Sequence, residues 1–467
     1  MAGWRHGHRS FRGHPGIHTA LLALAVSACA PAEPYGAPRF PFMTSYTSQK
    51  SGAPVLVTNT NWWRGFEDPV LDHLVSLALA DNLTIAAAKE RVIAAQAAGT
   101  SLPDPFSLSS EVRAQVRNTN GATAQPVQGV LGLNWMLDPY GKRREQLKAA
   151  WARTDAADAE ADAARLLVLY NLGNAYVDLR YAQRLLDLRR QEIQSRRRTL
   201  SLAESLLETQ AGTRLDLVRA RARLAEVEAQ IPSLEARLRA QMNQIAVLTG
   251  RAPGRLAVDL TRGRGQPQAS LSPDVGIPAD LLRNRPDIRV AERLYYASIA
   301  DLGAAKADLY PRLSLSGAIS LSATNGSKLG HEAYFGPVVA FPIIPDGSAR
   351  AGVEQRRSAV RLAHTTWKAT VLDAILEVEN ALLQYQASRK SRAAAERSLR
   401  LYTEAQRMVE DLLKTGNATI DDLIDADRAV TDAANTLAET RRQQGLDFIA
   451  LNIRLGSGSR VGTVAVK

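Results

Sequence analysis

Asp216-Leu217-Val218-Arg219-Ala220-Arg221 returns 206 positions later as Asp422-Leu423-Ile424-Asp425-Ala426-Asp427, and Gly250 falls on Gly456 at the same offset. Upstream, Asn82-Leu83-Thr84-Ile85 answers to Arg285-Pro286-Asp287-Ile288 at an offset of 203. A period of about 200 residues is too long for a solenoid repeat and fits a duplicated structural half. Each half holds a long helical run and two alternating strands, and neither reads as an enzyme.

The helical runs set the scale. Residues 142–210 contain no proline and one glycine, Gly173, with an apolar stripe at Leu172, Ala175, Leu179, Ala182 and Leu186. Residues 348–415 repeat this with Gly352 alone and a stripe at Val371, Ile375, Val378, Leu382 and Tyr385. Spacings of three and four are a heptad-like seam. A helix of that length measures roughly 100 Å, natural for a coiled coil and long for a globular domain. Each run meets a turn, Thr209-Gln-Ala-Gly-Thr213 or Thr415-Gly-Asn417, and returns as a shorter helix, about 214–250 or 420–455. Helices at about 70–100 and 279–309, opened by Asp68-Pro69 and Pro278-Ala-Asp280, cover the remaining length.

Between these helices lie the strands. From Phe106 to Arg117, Phe106, Leu108, Val112, Ala114 and Val116 share one face and Ser107, Ser109, Glu111, Arg113, Gln115 and Arg117 the other. Leu131, Leu133, Trp135 and Leu137 mark a second strand, Leu313, Leu315, Ile319 and Leu321 a third, and Phe335, Val339, Phe341 and Ile343 a fourth that Pro337 and Pro342 weaken. One greasy and one polar face over 10–12 residues suit a transmembrane β-barrel; a soluble sandwich is the alternative. Four strands cannot close a barrel, so chains must combine. Two would give a filled eight-stranded barrel, whereas three would give a lumen. Trp135, Tyr140, Phe335 and Phe341 near strand ends are candidate interface aromatics.

The 467 residues are 45% hydrophobic with a formal charge of +11 and a mean hydropathy of −0.18. Past the leader no run of 18 apolar residues occurs, so no membrane-spanning helix is expected. The basic excess is spread along helices, which reads as solvated faces and not as a nucleic-acid site. Residues 1–28 form a secretory leader: Arg5, Arg9 and Arg12, a short apolar core, then Val26-Ser27-Ala28-Cys29, which resembles a bacterial lipobox. Cys29 is the one cysteine, so no intrachain disulfide forms, and a lipid on Cys29 is the expected covalent group. Four of seven histidines (His6, His8, His14 and His18) lie in the leader, leaving His73, His331 and His364 widely spaced, so no metal site or cofactor is expected. Residues 29–60 read as an extended tether, 61–255 and 276–456 as the two repeats, 256–275 as a linker and 457–467 as a tail.

Several segments, taken in order, carry a resemblance. They are Trp62-Trp63-Arg-Gly-Phe66-Glu-Asp68-Pro69; Leu133-Asn-Trp135-Met-Leu137-Asp138-Pro-Tyr-Gly141-Lys-Arg143; Gly276-Ile-Pro278-Ala-Asp280 with Arg285-Pro286-Asp287-Ile288; Pro311-Arg-Leu313-Ser314-Leu315; Glu377-Val-Glu379-Asn-Ala381-Leu382; and Asp425-Ala426-Asp427-Arg428. With the lipobox and the duplication, the chain resembles the TolC-like outer membrane factors, the lipoprotein outer membrane subunits of tripartite efflux pumps of the OprM/NodT type. The resemblance implies an α+β membrane protein, a homotrimer with a twelve-stranded transmembrane β-barrel continued by a periplasmic α-helical tunnel. It implies as partners a periplasmic adaptor protein and an inner-membrane transporter, of the resistance-nodulation-division type, that hands over drugs, solvents or other small toxic compounds. The lipobox with Ala30 after Cys29 points to lipid anchoring in the outer membrane of a Gram-negative bacterium.

No reaction is expected; the candidate sites are a gate and a docking tip. Asp421 and Asp425, and Asp422 and Asp425, share a helix face, and in a trimer each acid becomes a ring of three, an arrangement that favours cations and can gate a pore. The resemblance places Asp425 and Arg428 at the family's closed constriction, while Asp421 stands where a leucine is usual. The same acids also complement a helix N-terminus, which fits Asp422 best. Gly212, Thr213, Gly416 and Asn417, with Leu215 and Asp216 beside the first tip, are the expected adaptor-docking residues. A channel for type I protein secretion and a poreless periplasmic coiled-coil scaffold are the competing readings.

Overall fold

The computed structural model describes residues 36, 38–43, 46–47, 61–102, 104–119, 122–210, 212–256, 258–261, 263, 265–269, 278–323, 329–341, 347–415 and 417–459. The leader and Cys29, most of the tether, Gly276, Pro342, Ile343 and Gly416 lie outside them. The chain divides into two units, one of residues 1–37, 98–152 and 295–363, the other of residues 38–97, 153–294 and 364–467.

In the first unit β1 (Phe106–Ala114), β4 (Val127–Leu137), β5 (Arg312–Ala323) and β6 (Gly330–Ala340) form one antiparallel sheet in that spatial order. Two short strands, β2 (Arg117–Thr119) and β3 (Ala122–Ala124), pair separately, so the first alternating segment ends as a ladder three residues earlier than its pattern runs. Register decides the faces. Phe106 lies opposite Trp135, Trp135 opposite Leu315, and Leu315 opposite Pro337; Leu131 lies opposite Ile319. Because side chains alternate along a strand, this lines up Phe106, Leu108, Val112 and Ala114 with Leu131, Leu133, Trp135, Leu137, Leu313, Leu315, Ile319, Leu321, Phe335 and Val339 on one face, and Ser107, Ser109, Asn134, Ser314, Ser316 and Glu332 on the other. The apolar face is uncovered: Leu108, Val112, Ile319 and Phe335 are between 53% and 78% exposed. Pro337 lies in β6, which has one strand neighbour within the chain, the kind of strand to which proline in a sheet is confined.

The second unit holds the apolar core. The helices α1 (Pro69–Asp81) and α2 (Leu83–Thr100) precede the sheet strands, and α3 (Lys142–Glu208) follows β4. The stripe of α3 is buried throughout, from Leu172 to Leu186, as are Val371, Val378, Leu382 and Tyr385 of the second stripe. Trp62, Phe66, Trp367 and Phe448 complete the packing, with Phe66 and Phe448 edge to face at 5.1 Å. Fully burying one such side chain is worth about 1.5–3 kcal/mol. Gly173 stands within the unbroken long helix for space, since a Cβ there would lie 3.0 Å from Ile449 Cδ1 and 3.4 Å from Trp62.

Three helices expected to be continuous are broken. The first return is α4 (Arg214–Glu228) then α5 (Ile231–Leu248), split just before Pro232, whose ring and missing amide bar a helix interior. The segment at about 70–100 breaks at Asn82, whose Oδ1 accepts the Thr84 amide at 2.8 Å and starts a new helix. The segment at about 279–309 is α6 (Leu281–Asn284) then α7 (Pro286–Ala307), parted at Arg285 because the residue before a proline leaves the helical region. By contrast α8 (Gly347–Lys414) and α9 (Ile420–Arg454) are single helices. By length and composition Pro69–Thr100 is apolar enough to cross a membrane, although it holds no uninterrupted run of 18 apolar residues. Its Leu71, Leu74, Val75 and Ala78 are instead spent on the core.

Described residues of the tether join the fold. Phe40 and Phe42 pack on the core, Tyr46 is 1% exposed, and the Thr47 amide and hydroxyl both donate to Glu379 Oε1, at 2.6 and 2.8 Å. Burial drives the Tyr46 hydroxyl pKa upward, with Asp280 and Glu379 adding to the shift.

The duplication extends to single close contacts. Gly250 (φ +73°) lies against the Asp81 carbonyl and Gly456 (φ +76°) against that of Asn284, so both need the left-handed backbone and the bare Cα that glycine supplies.

Candidate functional site at the two hairpin tips

The tips of the second unit are built alike. At the first, Thr213 and Asp216 form a capping box: the Thr213 hydroxyl donates to Asp216 Oδ2 at 2.6 Å and accepts the Asp216 amide at 3.2 Å. At the second, Thr419 and Asp422 repeat it at 2.6 and 3.2 Å. These boxes satisfy amides that a helix start leaves unpaired. The threonine hydroxyl, followed by the threonine amide, lowers the pKa of both carboxyls below the ordinary aspartate value. The carboxylates of Asp216 and Asp422 are therefore engaged with the caps of their own helices.

The first reversal is made by a residue other than glycine. At the first tip the left-handed residue is Gln210 (φ +59°). Gly212 is needed for close approach, since a Cβ would stand 2.9 Å from that of Leu206. At the second tip the Asn417 amide closes back on the Leu412 carbonyl at 2.9 Å.

Asp421, Asp425 and Arg428 are exposed on the first turns of α9. Arg428 reaches Asp432, one turn on, at 3.8 Å, with both side chains at least 70% exposed, an ion pair of little energetic weight. Asp421 joins Thr419 and Ile424 in a cleft of ≈ 280 Å³ that is also lined by Gly212, Asp216 and three arginines, Arg196, Arg219 and Arg223. Residues of both tips thus face one cleft, where the basic first copy of the repeat meets the acidic second copy. Leu215, the first-repeat counterpart of Asp421, is 56% exposed.

Asp427 is the residue whose importance its position in the sequence did not reveal. Ser195 of α3 donates to its Oδ2 at 2.9 Å and Gln406 of α8 to its Oδ1 at 2.5 Å. One carboxylate thus ties α9 to both long helices. It borders an open groove of ≈ 560 Å³ between these helices, also lined by Arg184, Arg198 and Glu410. The signals in the sequence are the swap of Arg221 for an acid at the repeated position and the place of Asp427 in the segment Asp425-Ala426-Asp427-Arg428. Higher in the unit, Arg442 pairs with Asp178, and the Tyr181 hydroxyl is pushed up to about 12 by burial and by Glu439. Among the described residues no group of His, Cys, Asp and Glu is arranged to hold a metal ion.

The family model described as outer membrane efflux protein matches residues 74–251 and 277–457, one match per repeat. Nodulation protein T of Rhizobium leguminosarum bv. trifolii is 34% identical over 458 residues, covering 94% of this chain and 97% of that one. Outer membrane protein OprJ of Pseudomonas aeruginosa is 29% identical, covering 95% of this chain and 96% of its own. Among solved structures, the outer-membrane channel OprN superposes with a TM-score of 0.82 at 28% identity, covering 92% of this chain and 99% of that one.

Proposed function

This chain belongs to the outer membrane efflux protein family, and on that premise we propose that three copies close into one channel, each giving β1, β4, β5 and β6 to a common barrel. The protein is an outer membrane efflux channel; its stoichiometry, partners and cargo are what the proposal adds. The observation that carries it is the sheet: one face apolar and uncovered, the other polar, and both edges, β1 and β6, open. An open, exposed edge is a template for further pairing. Pairing β6 of one copy with β1 of the next removes every edge, puts the apolar face against lipid and leaves the serine-rich face to line a water-filled lumen. Exposed Leu372, Leu376 and Leu383 on one side of α8 suit contact with a neighbouring copy.

In this reading Cys29 carries the lipid anchor in the outer membrane of a Gram-negative cell, and the two tips meet a periplasmic adaptor. An inner-membrane transporter delivers small toxic compounds, drugs or solvents among them. Asp421 and Asp425, each repeated three times around the axis, present acids to the narrow end of the tunnel, with Arg428 and the first-tip arginines as cationic counterparts; Asp422 supports them as a helix cap. Passage needs no bond-making chemistry, so no catalytic residue is assigned. The test is a planar bilayer measurement on purified protein alongside native mass spectrometry. A trimer mass with discrete channel openings is expected; a monomer without conductance would sink the proposal.

A further inference from the structure

Two segments singled out in the sequence, Leu137-Asp138-Pro-Tyr-Gly141-Lys-Arg143 and Pro311-Arg312-Leu313, are not used by the gate or the tips. They come from different repeats, yet they converge on one cleft of ≈ 270 Å³ in the strand unit, where the sheet gives way to helices. That volume sits near the lower end of small-molecule pockets, about 300 Å³, enough for a lipid headgroup.

The cleft has a greasy floor and a charged rim. Leu137, Pro105 and Pro139 line it, and Leu137 lies opposite Leu313, so the floor continues into the uncovered apolar face of the sheet, while Met136, opposite Ser314, bounds the cleft from the other face. On the rim, Lys142, Arg143 and Arg312 are matched by Asp104, Asp138 and Asp308. Asp308 sits between Lys142 at 2.6 Å and Arg312 at 2.9 Å, while Arg143 is 3.7 Å from an Asp104 that is 86% exposed. The rim is held in place. The Tyr140 and Tyr310 rings stack at 4.7 Å, and Asp138 accepts the Arg144 amide at 3.2 Å at the start of α3.

We propose that this cleft is a phospholipid site that takes a zwitterionic headgroup. The phosphate lies against Arg143 and Arg312, the ammonium against Asp104 and Asp138, and the acyl chains run along the apolar face from Leu137 and Leu313. Equal numbers of cations and carboxylates fit a headgroup with both charges, where a purely anionic lipid would call for a basic excess. Tyrosines and long basic side chains at the boundary of an apolar band are the groups that sit at headgroup level. The proposal rests on the reading that the apolar sheet face meets lipid.

The experiment uses full-length protein in liposomes doped with a photoactivatable phosphatidylethanolamine, with adducts mapped by mass spectrometry. Adducts on 137–143 and 308–312 are expected well above those along 313–321, diluted by unlabelled phosphatidylethanolamine and less by phosphatidylglycerol. Replacing Arg143→Ala and Arg312→Ala together should cut the cleft adducts roughly ten-fold, with strand adducts unchanged; Arg143→Lys with Arg312→Lys should restore them. Cleft labelling no higher than strand labelling, or unaltered by the double alanine variant, overturns the site while leaving the membrane reading intact. So does cleft labelling that appears only once copies are prevented from assembling, which would make a second copy the occupant. Absence of adducts on the strands as well would overturn the membrane reading itself.

Discussion

Arg285 donates from Nη1 to the main-chain oxygen of Arg454 at 3.0 Å. In the other repeat Asn82 donates to that of Leu248 at 2.8 Å. The same lock, a break between two helices held against the last turn of the returning helix, is thus made by two different side chains. Arg285 does more, since it also pairs with Asp287 at 2.6 Å and Glu377 at 2.8 Å while only 9% exposed. Removing it takes away four hydrogen bonds at once, three of them to carboxylates, so Arg285→Ala should cost about 3 kcal/mol. Asn82→Ala removes a cap and one further hydrogen bond, and should cost about 1–2 kcal/mol. Thermal unfolding of the detergent-solubilised variants checks the order; equal losses would contradict it.

The capping boxes predict a local acid sensitivity. The depressed pKa values of Asp216 and Asp422 mean that each carboxylate adds stability above its unfolded value, and that this is lost as pH falls through the lower folded value. Hydrogen-exchange protection at 213–217 and 419–423, corrected for intrinsic rates, should therefore fall below about pH 4. Asp422→Asn should abolish that step at the second tip and leave it at the first. A second-tip step that survives the substitution would assign it to another group.

The long helices and the strand faces were legible because each follows a period: 3.5 residues buries Leu172 through Leu186, and 2 residues aligns Phe106 with Trp135 and Leu315. The helix breaks at Asn82, Arg285 and Gln230 were written in Pro286, Pro232 and an asparagine cap, but local chemistry of that kind is easily outweighed by the strength of the flanking pattern. The site was less legible. That Asp422 caps its own helix follows from Thr419 three residues before it. That Asp427 joins Ser195 and Gln406 depends on contacts 232 and 21 positions apart, which no local pattern encodes.

The faces of the sheet give a sharp contrast between neighbours. Ile319 lies on the apolar face opposite Leu131, and Ser320 on the polar face opposite Val130 and Glu332. Ile319→Arg should destabilise the membrane-inserted protein by about 2–4 kcal/mol, the cost of a cation facing lipid near mid-depth. Ser320→Arg should cost far less and alter ion selectivity instead. Urea titration of protein folded into vesicles reads the first effect and reversal potentials the second. Equal destabilisation by both would argue for a sheet buried in protein on one side.

Asp427 and the Asp421/Asp425 pair separate two ways of holding a closed end. Asp427 is a mechanical tie, since its two oxygens hold Ser195 of α3 and Gln406 of α8. Asp427→Ala should loosen α9 and raise both resting conductance and sensitivity to bulky antibiotics, while Asp427→Asn, which keeps one acceptor oxygen, should have a smaller effect. Asp421 and Asp425 are exposed and hold none of these helices; their contribution is charge. Asp421→Ala with Asp425→Ala should also raise conductance, but with a loss of cation preference that Asp427→Ala does not cause, because three-fold rings of acids concentrate cations at a constriction. The alanine at 427 should keep its effect in high salt, whereas the double variant should differ least from the parent there, where charge is screened. Bilayer recordings in two salt concentrations distinguish the cases. Unchanged conductance in the double variant would remove Asp421 and Asp425 from the gate and leave Asp427 as its mechanical element.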